Sequence, residues 1–231
     1  MRRTADDLPA VLFDAADTLI ELVPTPPDLL SRDWLGADGA PSAADVLAAM
    51  SAIGAEGRWP DYETDATARL TIWTEFFREA LRRSGGTDSA DAARRAARYA
   101  LEPRNYRCYP DVRACLTRLR AAGHQTALVS NFDQWLHEIL DAHELSALFD
   151  TVVVSAEVGV QKPELEIFAI ACARLDRKPG DCVFVGDSIT VDVRGSAAAG
   201  MRPILIDRYD RLVDFDGPRI RTLDPLPTML A

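Results

Sequence analysis

The sequence predicts an α/β protein, a doubly wound, Rossmann-like parallel sheet carrying an inserted α-helical cap. Three observations predict it. Short, largely apolar runs recur at residues 10–13, 126–130, 151–155, 182–186 and 203–207. They are apolar almost throughout rather than at alternate positions, as strands covered on both faces of a parallel sheet are. Helical patterns separate the later runs, and strand–helix alternation of this kind closes into a doubly wound sheet. One long stretch, from about 23 to 107, interrupts the alternation with helices of its own.

The first run, Ala10-Val11-Leu12-Phe13, is followed at once by Asp14. Pro24, Pro26 and Pro27 then mark an exit from the sheet, and Pro103-Arg104-Asn105 marks a return. Between them residues 43–53, 65–84 and 89–101 read as helices, with Gly85-Gly86 separating the last two and a looser connector at 54–60 that contains Trp59. The expected division is therefore a core of residues 1–22 and 107–231 and a cap of 23–106. Trp59, Trp73, Phe76 and Phe77 are expected to pack the cap rather than touch a ligand. After the return, 111–122 reads as a helix closed by Gly123. Lys162-Pro163 leads into a helix at 164–175 with proline in its first turn, and 192–199 reads as a helix ending at Gly200.

Composition narrows the function. The chain has 231 residues, 48% hydrophobic and 27% charged, an ordinary soluble balance. Its formal net charge of -10 argues against a nucleic-acid partner, because phosphate backbones attract basic surfaces. It does not bar small anions, whose binding is decided by local charge and by metal ions. No stretch approaches the roughly 20 apolar residues that cross a bilayer, and the first residues lack the apolar segment of a signal peptide. A cytoplasmic protein, monomer or homodimer, without a membrane partner, is expected. Cys108, Cys115, Cys172 and Cys182 show no metal-binding spacing and read as reduced, mostly buried thiols. His124, His137 and His143 do not cluster and read as packing or surface residues.

In open α/β sheets ligands gather beyond the carboxyl ends of the strands. Four chemistry-bearing segments fall at such ends or at helix starts: Asp14, Ser130-Asn131, Lys162, and Gly186-Asp187-Ser188 with Asp192. Carboxylates, a hydroxyl and an ammonium in that arrangement suit a metal-bound phosphate. An acid closing a buried strand is costly unless chemistry or a cation holds it there.

These segments resemble the four motifs of the haloacid dehalogenase superfamily of phosphohydrolases. The first reads Asp14-Ala15-Ala16-Asp17-Thr18, the second Ser130-Asn131, the third Lys162 and the fourth Gly186-Asp187-Ser188 with Asp192. The run from Arg194 to Met201 is similar to the Gly-Ala-x-x-Ala-Gly tail of the last. The motifs stand in family order over residues 12–200. Many members carry an α-helical cap between the first and second motifs, where this chain has its insertion.

The resemblance implies a Mg²⁺-dependent phosphohydrolase acting on a small phosphorylated metabolite through an aspartyl-phosphate. Asp14 would attack phosphorus. Asp14, Asp187 and the backbone carbonyl of Ala16 would hold the cation, with Asp192 bracing its water shell. Ser130 and the Asn131 N–H would donate to the phosphoryl oxygens, and Lys162 would neutralise Asp14 and phosphate together. One position departs from the pattern. The family's phosphatases carry a second Asp, a general acid and base, where this chain has Ala16. Asp17, where the family usually has Gly, is the candidate surrogate; the alternative is that it only shapes the turn. Two rival functions follow from the same gap, a 2-haloacid dehalogenase and a low-turnover binding or regulatory member of the fold.

Overall fold

The computed structural model describes residues 8–36, 39–56, 65–212 and 215–230. Trp59 and the end of the connector at 54–60 lie outside them. The chain forms two compact units, one of Met1–Glu21 with Cys108–Ala231 and the other of Leu22–Arg107.

In chain order the strands are β1 (Ala10–Phe13), β2 (Ile20–Leu22), β3 (Tyr106–Cys108), β4 (Thr126–Ser130), β5 (Thr151–Val154), β6 (Cys182–Gly186), β7 (Arg202–Ile206) and β8 (Arg219–Ile220). Six of them form one sheet in the order β5-β4-β1-β6-β7-β8, while β2 and β3 form a two-stranded sheet. Every described pairing in the large sheet is parallel. The predicted α/β parallel-sheet fold is therefore the observed one. Every residue of β1, β4 and β6 is buried, which is why these strands read as unbroken apolar runs.

Helices cover the sheet. Leu165–Leu175 buries Ile167, Phe168, Ala171, Cys172 and Leu175 against a patch that includes Leu12, Val129, Val153 and Phe184. The Phe168 and Phe184 rings meet edge-on at 5.2 Å. Val112–Ala122 ends as expected at Gly123, whose φ of 97° favours glycine.

Four local expectations shift. The third run stops at Val154, because Ser155 opens the short helix Ser155–Val158. The last run starts one residue earlier, as Arg202–Ile206. Pro163 lies in a turn and not in the first turn of the following helix, which starts at Leu165. The helix expected at 192–199 begins at Ile189: a wide π-type stretch, Ile189–Arg194, runs into Gly195–Ala198. Ser188 starts it, its hydroxyl accepting the Val191 N–H and its carbonyl the N–H groups of Asp192 and Val193.

The second unit is helical, with Ala43–Ala55, Ala66–Arg83 and Ala90–Ala100 as its longer elements. Ser42, Asp65 and Ser89 cap their N-termini with side-chain oxygens. The last of the three turns an all-alanine stripe inward (Ala92, Ala93, Ala96, Ala97, Ala100), which allows close approach to its neighbours. Phe76 and Phe77 lie in this unit's apolar core and Trp73 packs against it. The core reading of those three aromatics holds.

Candidate active site

The three central strands, β4, β1 and β6, end side by side. Asp14 follows β1 directly, and its N–H donates to the Val185 carbonyl of β6 at 2.9 Å. Ser130 is the last residue of β4, and its hydroxyl donates to Asp14 Oδ1 at 3.3 Å. Asp187 follows β6. Parallel pairing thus gathers at one sheet end residues that the sequence spreads over more than 170 positions.

Lys162 completes the cluster from the turn before Leu165–Leu175. Its side chain is 2% exposed, and Nζ donates to Asp14 Oδ1 at 2.5 Å and to Asp192 Oδ1 at 2.7 Å. Burial works against its charge, but the two carboxylates outweigh it and hold the ammonium above its usual range. A buried lysine between two acids is charged for their sake.

Two supports were not legible in the sequence. The Asn131 side chain clamps the Lys162 backbone, with Oδ1 accepting the Lys162 N–H at 2.7 Å and Nδ2 donating to its carbonyl at 2.8 Å. An amide that answers both groups of one peptide residue fixes it like a strand partner, so Asn131 positions the lysine. Asp192 is held by the Ser188 N–H at 3.0 Å as well as by Lys162. The wide turn brings its carboxyl back over Gly186, where a Cβ would stand 2.4 Å from Asp192 Cγ. Glycine is required there by close approach. A wide turn of this kind is a frequent mark of functional helices.

The carboxylates of Asp14, Asp187 and Asp192 present oxygens all within 4.8 Å of one another. One ammonium serves Asp14 and Asp192, while Asp187 has no ion pair or hydrogen bond among the described residues. Burial pushes Asp14 up to about 6, against the opposing pull of Lys162 and with Asp192 adding to the rise. Asp187 is raised well above the ordinary carboxylate range, by burial first and then by Asp14 and Asp192. Three crowded acids with one internal cation are short of positive charge, and an all-oxygen set of this size fits a hard divalent ion.

Ala16 and Asp17 stand on the turn after Asp14. Ala16 makes an isolated bridge to Ile20, and Asp17 has φ of 56°, a left-handed conformation that aspartate tolerates. Asp17 is exposed and is not a member of the tight carboxylate cluster. Although the residue as a whole is exposed, protein atoms crowding its carboxyl, followed by the charge of Glu21, hold that group above the ordinary range. His124 Nδ1 donates to the Pro9 carbonyl at 2.7 Å, and His137 pairs with Glu157 at 2.8 Å. All four cysteines are free, and three are buried. No helix among the described residues is long and apolar enough to cross a membrane.

The model of the haloacid dehalogenase-like hydrolases matches residues 8–200, a span that contains every residue of this cluster. The chain belongs to this hydrolase family. A phosphoserine phosphatase of Thermus thermophilus is 33% identical over 183 residues, which cover 76% of this chain and 73% of that protein. An (S)-2-haloacid dehalogenase of a Pseudomonas species is 31% identical over 127 residues, 53% of this chain and 56% of that one. Among solved structures, a phosphatase of the family from Thermococcus onnurineus aligns with a TM-score of 0.66 and 27% identity, covering 97% of this chain and 98% of that one. The family's hydrolases thus include both chemistries that the sequence leaves open, and the residues of the site must choose between them.

Proposed function

We propose that this hydrolase is a Mg²⁺-dependent phosphatase of small phosphorylated metabolites, working through an aspartyl-phosphate on Asp14. The observation that carries it is the convergence of Asp14, Asp187 and Asp192 with, among the described residues, only Lys162 to balance them. A phosphate ester approaching three acids needs more positive charge than one lysine supplies. Asp14, Asp187 and the Ala16 carbonyl would hold Mg²⁺, which when bound would offset the charge of the nucleophile and of the phosphoryl oxygens. Asp192 would orient its waters.

The chain's own residues do the rest. Asp14 attacks phosphorus as the ester oxygen leaves, and water then attacks phosphorus to release phosphate and restore the carboxylate. Ser130 and the Asn131 N–H donate to the phosphoryl oxygens. Lys162, fixed by Asn131, holds a positive charge beside Asp14 through both steps. The helical unit Leu22–Arg107 serves as the cap that selects the leaving group, and the enzyme works in the cytoplasm. Phosphate release from a metabolite panel tests this reading. Activity is expected with Mg²⁺ and is expected to vanish on chelation; full activity of metal-free protein would sink the metal assignment.

A positioned acid/base is worth about 10²–10⁴-fold in rate, and Ala16 cannot supply it. With Asp17 as surrogate, its raised carboxyl protonates the leaving oxygen, and Asp17→Asn should slow a poor leaving group by about that factor while sparing p-nitrophenyl phosphate. With no surrogate, Ala16→Asp should raise the rate on the poor leaving group instead. Measuring both variants on both substrates separates the cases. The second reading, a dehalogenase, is favoured by Ala16 and by the Pseudomonas relative. The paired fourth-motif acids weigh against it, since displacement of halide from carbon needs no metal.

A further inference from the structure

Arg208 lies in the loop after β7, and its side chain is 6% exposed. Nε and one terminal nitrogen donate to the Thr18 carbonyl at 3.0 and 2.5 Å. The two terminal nitrogens also reach both oxygens of Asp111, at 3.0 and 3.1 Å. The guanidinium carbon lies 3.8 Å from the centre of the Tyr109 ring. Asp111 is itself fixed by the Leu223 N–H at 2.7 Å.

What this buried hub grips is the turn that follows the nucleophile. The Ala15 carbonyl accepts the N–H groups of Leu19 and Ile20 at 2.8 and 3.0 Å, and the Asp17 N–H donates to the Ile20 carbonyl at 2.7 Å. Ala16 and Asp17 therefore ride on a turn pinned at Ala15 by its own bonds and at Thr18 by Arg208. A carbonyl and a carboxylate are held at once by one rigid fork, which an ammonium cannot imitate.

We infer that Arg208 is a positioning residue, which fixes the Ala16–Thr18 turn and through it the affinity of the site for a divalent cation. The inference rests on the Mg²⁺ reading above. It acts through the Ala16 carbonyl, the one expected ligand that no side chain supplies. A backbone ligand is only as well placed as the turn that presents it.

The test compares Arg208→Lys and Asp111→Asn with the parent by calorimetric Mg²⁺ titration of the resting protein, by melting temperature, and by Mg²⁺ dependence of p-nitrophenyl phosphate turnover. Both variants should bind Mg²⁺ about 10–100-fold more weakly, the range typical of residues that orient metal ligands. Half-saturating Mg²⁺ for turnover should rise with it, KM for the ester should stay nearly unchanged, and high Mg²⁺ should restore most of kcat. Tyr109→Leu, which removes only the stacked ring, serves where either substitution prevents folding and should shift Mg²⁺ affinity in the same direction. A parent that binds Mg²⁺ with variants that melt lower but bind it equally well would overturn the role of Arg208 alone. A parent without Mg²⁺ binding would overturn the metal reading and this inference with it.

Discussion

Asp14→Asn is expected to lower turnover by roughly 10⁴-fold or more, since the change removes the nucleophile itself. The amide is nearly isosteric but is neither nucleophile nor charged ligand. The fold should survive. Burial and Asp192 push the Asp14 carboxyl to about 6, so ionising it costs the metal-free folded state about 3 kcal/mol at neutral pH. The folded state holds that proton more tightly than the unfolded chain does. The cost is therefore absent below about pH 4 and complete above about pH 6. Asn escapes it while giving up the charged half of the contact with Lys162. Melting temperature in EDTA at pH 7.5 should stay close to that of the parent or rise, and beryllofluoride should label the parent only. Retained turnover in the variant would place the nucleophile elsewhere.

Lys162→Met should harm both activity and stability. Met fills the space of the lysine stem but leaves Asp14 and Asp192 facing each other without the ammonium that now sits 2.5 and 2.7 Å from them. Removing one partner of a buried ion pair costs about 3–5 kcal/mol, and losing a preorganised donor at a developing charge costs roughly 10²–10³-fold in rate. The stability deficit should depend on pH with a definite sign. In the variant a proton on Asp14 can replace the lysine's charge, so the deficit should shrink as pH falls from 7.5 towards 5. Denaturant unfolding in EDTA at both values measures it. A deficit that is constant with pH would mean that the acids do not feel the lysine as the distances imply.

Much of the sheet was legible because strands buried on both faces read as plain apolar runs. β1, β4 and β6 fall where the sequence puts them. The ends were less so. Ser155, Arg202 and Ile189 start or stop elements according to capping and sheet register, which a run of apolar letters does not encode. β2, β3 and β8, each of two or three residues, carry no periodicity at all. The acids, Ser130 and Lys162 were legible because chemistry restricts residue type at strand ends. Their supports were not. Asn131 grips a backbone 31 residues away and Arg208 one 190 residues away, and contacts of that range exist only once the sheet has closed. Asp17 was visible as an oddity, and its exposed, left-handed placement explains how an aspartate can stand there without explaining what it does.

The central claim is that Asp14 attacks phosphorus and that water then attacks phosphorus, not the aspartyl carbonyl. Turnover in H₂¹⁸O reads this directly. The parent is supplied with p-nitrophenyl phosphate in one reaction and 2-chloropropionate in another, and mass spectrometry follows the label in released phosphate and in the peptide that contains Asp14. The account predicts one ¹⁸O in each phosphate, none in the Asp14 carboxylate, and no halide release. Label accumulating in Asp14, with chloride appearing from 2-chloropropionate, would contradict it: an ester to carbon would then have formed on Asp14 and been cleaved at its carbonyl, and the chain would be a dehalogenase.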